Sequence, residues 1–463
     1  MTRSALQLRQ DAVHIWQAGV DAVRSEQLVR NNVQVDDKNI LVAGKSIALE
    51  KIRRIVAVGA GKAGAGMAAG LEQTLGEELM RQKDYTGWIN VPADCVRQLQ
   101  RTTLHSARPA GVNEPTAEGV AGTQKILEIL ATLTPEDLCF CLISGGGSAL
   151  LPAPVAGIRL EDKQTVTSHL SAAGANIEEL NVVRKQLSAI KGGGLARRCR
   201  AKWLFSLIIS DVLGDPLDAI ASGPTAPDRS TPQLALEILN RFQAQAAGIS
   251  PRVFDHLQQQ NSHPGLSSPI TCQVHHMVIG NNALAVEAAG VAADKLGYSP
   301  ALMAATKPEG QADDVGRHLA RKVLQMCHEP GPDCFITGGE PVVKLVDAQY
   351  RGRGGRNQQL ALSSLVTLSE QLTPEELLIL AERFVILSGG TDGEDGPTDA
   401  AGAVLDKNVM VHADQLGLSP KDFLQRNDAY HFFKPLGGLI LSGPTHTNVC
   451  DLRVVVVNRD DDS

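Results

Sequence analysis

Five apolar runs in this chain end in glycine-rich polar loops, and no other feature narrows the fold as much. RRIVAVG leads into AGKAG, and DLCFCLI leads into SGGGS (144–148). WLFSLII leads into SDVLGDPLDAIASGPT (210–225), DCFI into TGGEPVV (337–343), and RFVIL into SGGTDGEDGPTDAAG (388–402). A short continuous apolar run bounded by turn residues reads as a strand buried on both faces. Such strands alternating with helices imply a mostly parallel sheet with helices on each side. Ligands in α/β sheets bind beyond the carboxyl ends of the strands, so these loops are expected to converge on one crevice.

The remaining pattern fits this scheme. Leu8, Val13, Ile15, Trp16, Val20 and Val23 have helical spacing over residues 5–26. VQV and ILVAG flank DDKN as a hairpin. A helix follows the first glycine loop through about Leu79, and WINV is a second short strand. Helices are expected at 117–131, at about 161–173, and at 176–190. The turn-rich QQQNSHPGLSSP (258–269) reads as a loop, so a domain change belongs between about 225 and 270. The βα pattern then restarts with HHMVIG, SPALMAA, DCFITGG, PVVKLV, RFVILSGG and LRVVVV as strands. The expected fold class is α/β in two domains, 1–235 and 236–463.

Bulk properties exclude several classes. The net charge is -7 without a strongly basic run, and only 3% of residues are aromatic, so nucleic acid is not an expected partner. No apolar run approaches the ~20 residues that span a bilayer, so no membrane partner is expected. None of the eight cysteines forms a C-x-x-C pair. Reduced, buried thiols in a cytoplasmic setting are the expectation, with a weak mitochondrial presequence as the alternative reading of the N-terminus. His275, His276, Cys327 and His328 lack zinc-ligand spacing.

The loops carry the chemistry. Gly59, Gly61 and Gly64 match G-x-G-x-x-G, but Lys62 stands inside the loop. Ser144, Gly145, Gly146, Gly147 and Ser148 lack the final glycine of a hydrolase elbow, and fit a turn whose amides cradle phosphate. NVVRKQLSAIKGGGLA sets Arg184, Lys185 and Lys191 on a helix running into three glycines. In GRGGRNQQLAL, Arg353, Arg356 and Asn357 stand at a helix start, where amides and guanidinium forks together suit oxyanions. Asp392, Glu394, Asp395 and Asp399 lack the twelfth-position glutamate of an EF-hand; with Asp211 and Asp215 they suit Mg²⁺ held by one or two carboxylates plus phosphate oxygens. Cationic forks, glycine nests and a few carboxylates are the equipment of phosphoryl transfer. A dinucleotide site instead asks for an acid at the end of the second strand; Asp84 precedes WINV, and Asp94 lies farther on.

VGAGKAGAGMA, LISGGGSALLPAP, LNVVRKQLSAIKGGGLA, SDVLGDPLDAIASGPT, GGEPVV, GRGGRNQQLAL, LSGGTDGEDGPTDAAGA and THTNVCDL, in this order, resemble the glycerate kinase family with a MOFRL domain, over residues 8–455. The resemblance implies a Rossmann-like domain (1–235), a MOFRL domain (236–463), and an active site in the interdomain cleft. It implies ATP- and Mg²⁺-dependent phosphorylation of D-glycerate at the 2-hydroxyl; a homodimer is the one candidate assembly. The family's functional lysine falls on Lys62 and its arginine on Arg356. On this reading Lys62 and Arg356 neutralise the moving phosphate or hold the carboxylate. Gly61, the 144–148 loop, Lys191, Arg353 and Asn357 bind ATP, and Asp211 or Asp392 binds Mg²⁺ or takes the hydroxyl proton. The chain departs from the family's His-Pro-x-Pro-Asp loop, reading HSARPAGVNEP with His105 and Glu114. The readings that compete are an NAD(P)H-dependent hydroxypyruvate reductase, phosphorylation at the 3-hydroxyl, and a non-catalytic sensor of a sugar acid or nucleotide.

Overall fold

A computed structural model describes residues 3–42, 44–262 and 269–459. The chain divides into two compact units, Ser25–Ile279 and Gly280–Ser463, the latter joined by Met1–Arg24. The division thus falls after Ile279, not after residue 235 as the sequence suggests. Helices Pro232–Arg241 and Pro251–Ser262 explain the difference. Their Ala235, Ile238, Leu239, Val253 and Leu257 share a core with Val183 and Leu187 of the first unit. The stretch read as a loop at 258–269 is helical to Ser262, and 263–268 lie outside the described residues.

The unit Ser25–Ile279 opens with a small antiparallel sheet, β1 (Val33–Val35), β2 (Asn39–Val42) and β3 (Lys45–Ala48). It contains the expected hairpin and adds a third strand. The main sheet is built from β4 (Ile55–Ala60), β5 (Thr86–Pro92), β6 (Thr102–Arg108), β7 (Leu138–Ile143), β8 (Trp203–Ile209) and β9 (Gln273–Gly280). Their order is β6-β5-β4-β7-β8-β9. The pairs β4/β5, β5/β6, β4/β7 and β7/β8 are parallel. This is a doubly wound sheet whose order reverses between β4 and β7, the place where such sheets bind ligands. β4 and β7 are buried along their whole length, which explains their unbroken apolar sequences. β6 escapes sequence reading because TTLHSAR has little apolar content.

The other unit contains β10 (Pro300–Met303), β11 (Cys334–Gly339), β12 (Phe384–Gly390), β13 (Gly402–Leu405), β14 (Leu439–Ile440) and β15 (Asp451–Val457). Their order is β10-β11-β15-β12-β13-β14. Only β10/β11 is parallel; the C-terminal strand β15 is antiparallel to both β11 and β12. The sheet is therefore mixed. PVVKLV is not a strand: Val342 makes one bridge to Gln311, and Val342 and Leu345 are exposed. Helix Ala5–Ala22, opened by a Ser4–Gln7 capping box, buries Ile15, Trp16 and Val20 in this unit's core with Leu387, Leu452 and Val454. Among the described residues, no helix is long and apolar enough to cross a membrane.

Candidate active site

At the reversal between β4 and β7, two glycine loops are laced together. Lys62 donates its amide to the Gly145 carbonyl at 2.9 Å, and the Ala63 amide donates to Ser144 Oγ at 3.0 Å. The approach is so close that a Cβ on Gly61 would stand 2.0 Å from Ser144 Oγ. Gly64 lets helix Gly64–Gln82 pack against Ile89 of β5. The three glycines of the fingerprint are thus needed for packing the two loops and the helix. Lys62 sits half-buried at the head of that helix. The Gly147 amide is spent on the Ser144 carbonyl. Among the described residues, the amides of Gly145, Gly146 and Ser148 make no backbone hydrogen bond, so they are available to an anion.

Lys191 is not on a helix. The helix Ile177–Gln186 ends five residues earlier, and Lys191 enters a turn in which Gly192 and Gly193 take φ of 55° and 79°. This explains more than one of the three glycines: two left-handed residues in succession are cheap only without side chains. The turn buries Lys191 and aims Nζ at Ser148, donating to its carbonyl at 2.9 Å and its Oγ at 2.7 Å. Burial, and then the charges of Lys163 and Arg184, hold the Lys191 ammonium well below its ordinary pKa. Ser148 Oγ also lies 3.0 Å from Ser222 Oγ, and Ser222 donates to Asn181 at 3.1 Å. Ala221 and Ser222 hold left-handed φ of 51° and 60°, backbone strain that presents the Ser222 hydroxyl to this cluster. Asp211 follows β8 by two residues and is partly exposed.

In the other unit, Arg356 is the first residue of helix Arg356–Gln371. Its guanidinium forks onto Asp451, with Nε at 2.7 Å and Nη2 at 3.0 Å, while Nη1 lies 3.0 Å from Glu340. Burial opposes the Arg356 charge, but Asp451 and Glu340 outweigh it and hold the proton more firmly than usual. Burial pushes the Glu340 carboxyl up, with Arg356 opposing. The helix amides expected to face an oxyanion already have one: Asn357 and Gln358 donate to the Asp395 carboxylate at 3.0 and 2.9 Å. Asn357 is buried, and its Oδ1 accepts from Ser388 at 2.6 Å. Arg353 donates to the Pro397 carbonyl at 2.6 Å and stacks over Tyr430. Asn357 is thus engaged inside the protein, whereas Arg353 makes its bond at the exposed surface. Asp392 is partly exposed, one oxygen accepting from the Glu394 amide at 3.1 Å.

Mg²⁺ can be weighed against these donors. Among the described residues, no group of three or more His, Cys, Asp and Glu side chains is set to hold a metal ion. A partly exposed carboxylate such as Asp211 or Asp392 still fits Mg²⁺, which keeps waters and takes one or two carboxylates with the substrate's phosphates.

Asp395 titrates far from the ordinary range. Burial pushes its carboxyl up to about 7, against the pull of the two helix amides. The folded state thus keeps a proton that the unfolded chain releases near pH 4. The stabilisation is complete below that point and is lost as pH rises towards 7, at a slope of about 1.4 kcal/mol per pH unit. Urea midpoints recorded from pH 4.5 to 8 are expected to fall with pH in the wild type and to fall less in Asp395→Asn. Equal slopes would contradict the assignment.

Sequence reading assigned no role to four participants: Ser222, Asn181, Asp451 and Glu340. Ser222 and Glu340 lie in glycine loops singled out by pattern, SGPT and GGEP, so the signal for them was present. Asn181 and Asp451 lie in LNVVRKQ and THTNVCDL, but nothing in those motifs shows that each bonds a residue far away in sequence.

Residues 11–258 match the family model of a domain of unknown function, DUF4147, and residues 333–451 match the MOFRL family. A glycerate kinase of Rattus norvegicus is 36% identical over 98% of this chain and 94% of its own length. A D-glycerate 2-kinase of Thermotoga maritima is 35% identical over 87% of this chain and 91% of its own. The crystal structure of a glycerate kinase from Thermotoga maritima superimposes with a TM-score of 0.80 at 31% identity, covering 98% of this chain and all of that one (100%). With both family models in sequence order and full-length relatives of this similarity, the chain belongs to the glycerate kinase family with a MOFRL domain.

Proposed function

We propose that this protein transfers the γ-phosphoryl group of ATP to the 2-hydroxyl of D-glycerate, giving 2-phosphoglycerate and ADP. The observation that supports this most is the junction of β4 and β7, where Lys62 stands beside three available amides in the loop 144–148. A lysine with converging N–H groups neutralises and orients a phosphoryl group as its charge redistributes in the transition state. A nicotinamide pyrophosphate would use the same amides without needing the lysine, and the acids near β5 fit a ribose poorly: Asp84 stands before the strand and Asp94 two residues beyond it.

In this reading Lys62 neutralises the moving phosphoryl group, and Gly61 and the loop 144–148 orient the ATP phosphates. Arg356, positioned by Asp451, offers an anion the edge now facing Glu340. Asp211 or Asp392 would hold Mg²⁺, whose chemistry is to neutralise the phosphate oxygens, and the other carboxylate would accept the hydroxyl proton. The name of the Thermotoga relative, a D-glycerate 2-kinase, favours the 2-hydroxyl.

The test is an assay of purified protein with D-glycerate, ATP and MgCl₂, coupled through enolase with and without phosphoglycerate mutase. Enolase consumes 2-phosphoglycerate and not its 3-isomer. Signal without the mutase is the expected result. Signal only with the mutase would move the reaction to the 3-hydroxyl. Silence in both, with NADH oxidised by hydroxypyruvate, would replace the kinase with a reductase.

A further inference from the structure

Three cations of the first unit, Lys163, Arg184 and Lys191, make no ion pair among the described residues. Lys163 is buried on helix Leu160–Ala172 and donates Nζ to the Leu187 carbonyl at 2.9 Å. Lys191 is buried with Nζ on Ser148 and Ser222. Arg184 is half-buried, and its charge lowers the protonation of both lysines after burial has done so. Asp218 and Asp228 are paired with the neighbouring Lys185, at 3.3 and 3.4 Å. Among the described residues, Arg184 has no hydrogen bond and no ion pair.

The lysines can answer this crowding by losing a proton; Lys163 is brought down to about 7 by burial and then by Arg184. An arginine cannot. A half-buried guanidinium beside Lys163, in a pocket otherwise lined by residues such as Val166, Leu170, Leu180 and Val183, is unfavourable until an anion arrives. The helix Ile177–Gln186 fixes where that anion would stand. Asn181 and Arg184 are three residues apart and share a face. Asn181 accepts from Ser222, which touches Ser148 and Lys191. Arg184 therefore lies on the helix face whose Asn181 meets the Ser148–Ser222–Lys191 cluster, and it shares a small pocket with Lys163.

We propose that Arg184, with Lys191 and Ser148, forms the subsite that receives the carboxylate of the hydroxy-acid substrate. The inference rests on the glycerate kinase reading and deepens it. A guanidinium fork matches the two oxygens of a carboxylate. The amides of Gly145 and Gly146 lie two or three residues before Ser148, beside Lys62, and remain for phosphate.

Steady-state kinetics of Arg184→Gln and Arg184→Lys test this in the full-length enzyme. The expected result for Arg184→Gln is a rise of about a hundredfold in KM for D-glycerate, with KM for ATP within about twofold of wild type. Arg184→Lys should recover part of the loss. Calorimetric titration should show that Arg184→Gln no longer distinguishes D-glycerate from its uncharged amide. An unchanged KM for glycerate, or a rise confined to ATP, would overturn the inference; the second outcome would make Arg184 a phosphate ligand. ATP binding at wild-type strength confirms that the variant folds. Absence of glycerate phosphorylation in the wild type would overturn the kinase reading itself, a result that no Arg184 variant can mimic.

Discussion

Lys62→Met is expected to lower turnover of D-glycerate by about a thousandfold while the melting midpoint stays close to that of the wild type. The magnitude follows from removing a preorganised positive charge aimed at developing negative charge, which typically costs ~10²–10³ in rate. The small structural effect follows from the local geometry. The Lys62 amide bonds to the Gly145 carbonyl, and methionine keeps that bond. The lacing of the two loops depends on Gly61, Ala63 and Ser144, none of which is changed. Methionine also matches the lysine stem in length, so packing at the head of helix Gly64–Gln82 is preserved. Turnover near wild type would remove Lys62 from the chemistry. A large drop in melting temperature would make it a structural residue. Gly61→Ala should give the opposite signature, because its Cβ would collide with Ser144. That variant loses stability first and activity as a consequence.

The parts of this molecule that could be read from sequence are those in which one segment carries its own physical constraint. β4, β7, β8, β11 and β12 are buried on both faces, so each is an unbroken apolar run, and the glycine loop after each marks where its ligand end lies. β6 was not legible because its covering is supplied by neighbours and its sequence is mostly polar. The place of β15 at the centre of its sheet was not legible either. LRVVVV announces a buried strand but not that it slips between β11 and β12 with reversed direction. The site divides in the same way. Lys62 and the loop 144–148 declare themselves by local pattern. The Lys191–Ser148 contact joins residues 43 apart, and Ser148 and Ser222 are 74 apart. Arg356 was conspicuous as half of an R-G-G-R-N pattern, yet its principal partner stands 95 residues later in a strand. Sequence spacing shows which charges exist; it does not show which are already matched inside the fold.

Arg356 makes that distinction measurable. Arg356→Met is expected to abolish activity and also to destabilise its unit by about 3–5 kcal/mol, because it leaves a buried carboxylate without its counter-charge. Asp451 is fully buried, and the Arg356 fork bonds both of its oxygens. Asp451 further sits next to Cys450, whose left-handed φ of 68° is held by Thr391: the Cys450 carbonyl accepts from the Thr391 amide and hydroxyl at 3.0 and 2.6 Å. Rotating the carboxylate out to water would break that arrangement, so the charge cannot simply relax. Arg356→Lys should recover little, since an ammonium cannot bond both oxygens in the plane of a fork. Adding Asp451→Asn to Arg356→Met removes the stranded charge. The double variant is expected to regain most of the lost stability in urea unfolding and none of the activity. Recovery of both would mean that Arg356 acts only as a counter-ion to Asp451. Recovery of neither would mean that the pair is not what holds β15 against the head of helix Arg356–Gln371. Stability regained without activity is the outcome that separates the two duties of Arg356: to neutralise Asp451 within the fold, and to offer its remaining edge to an anion.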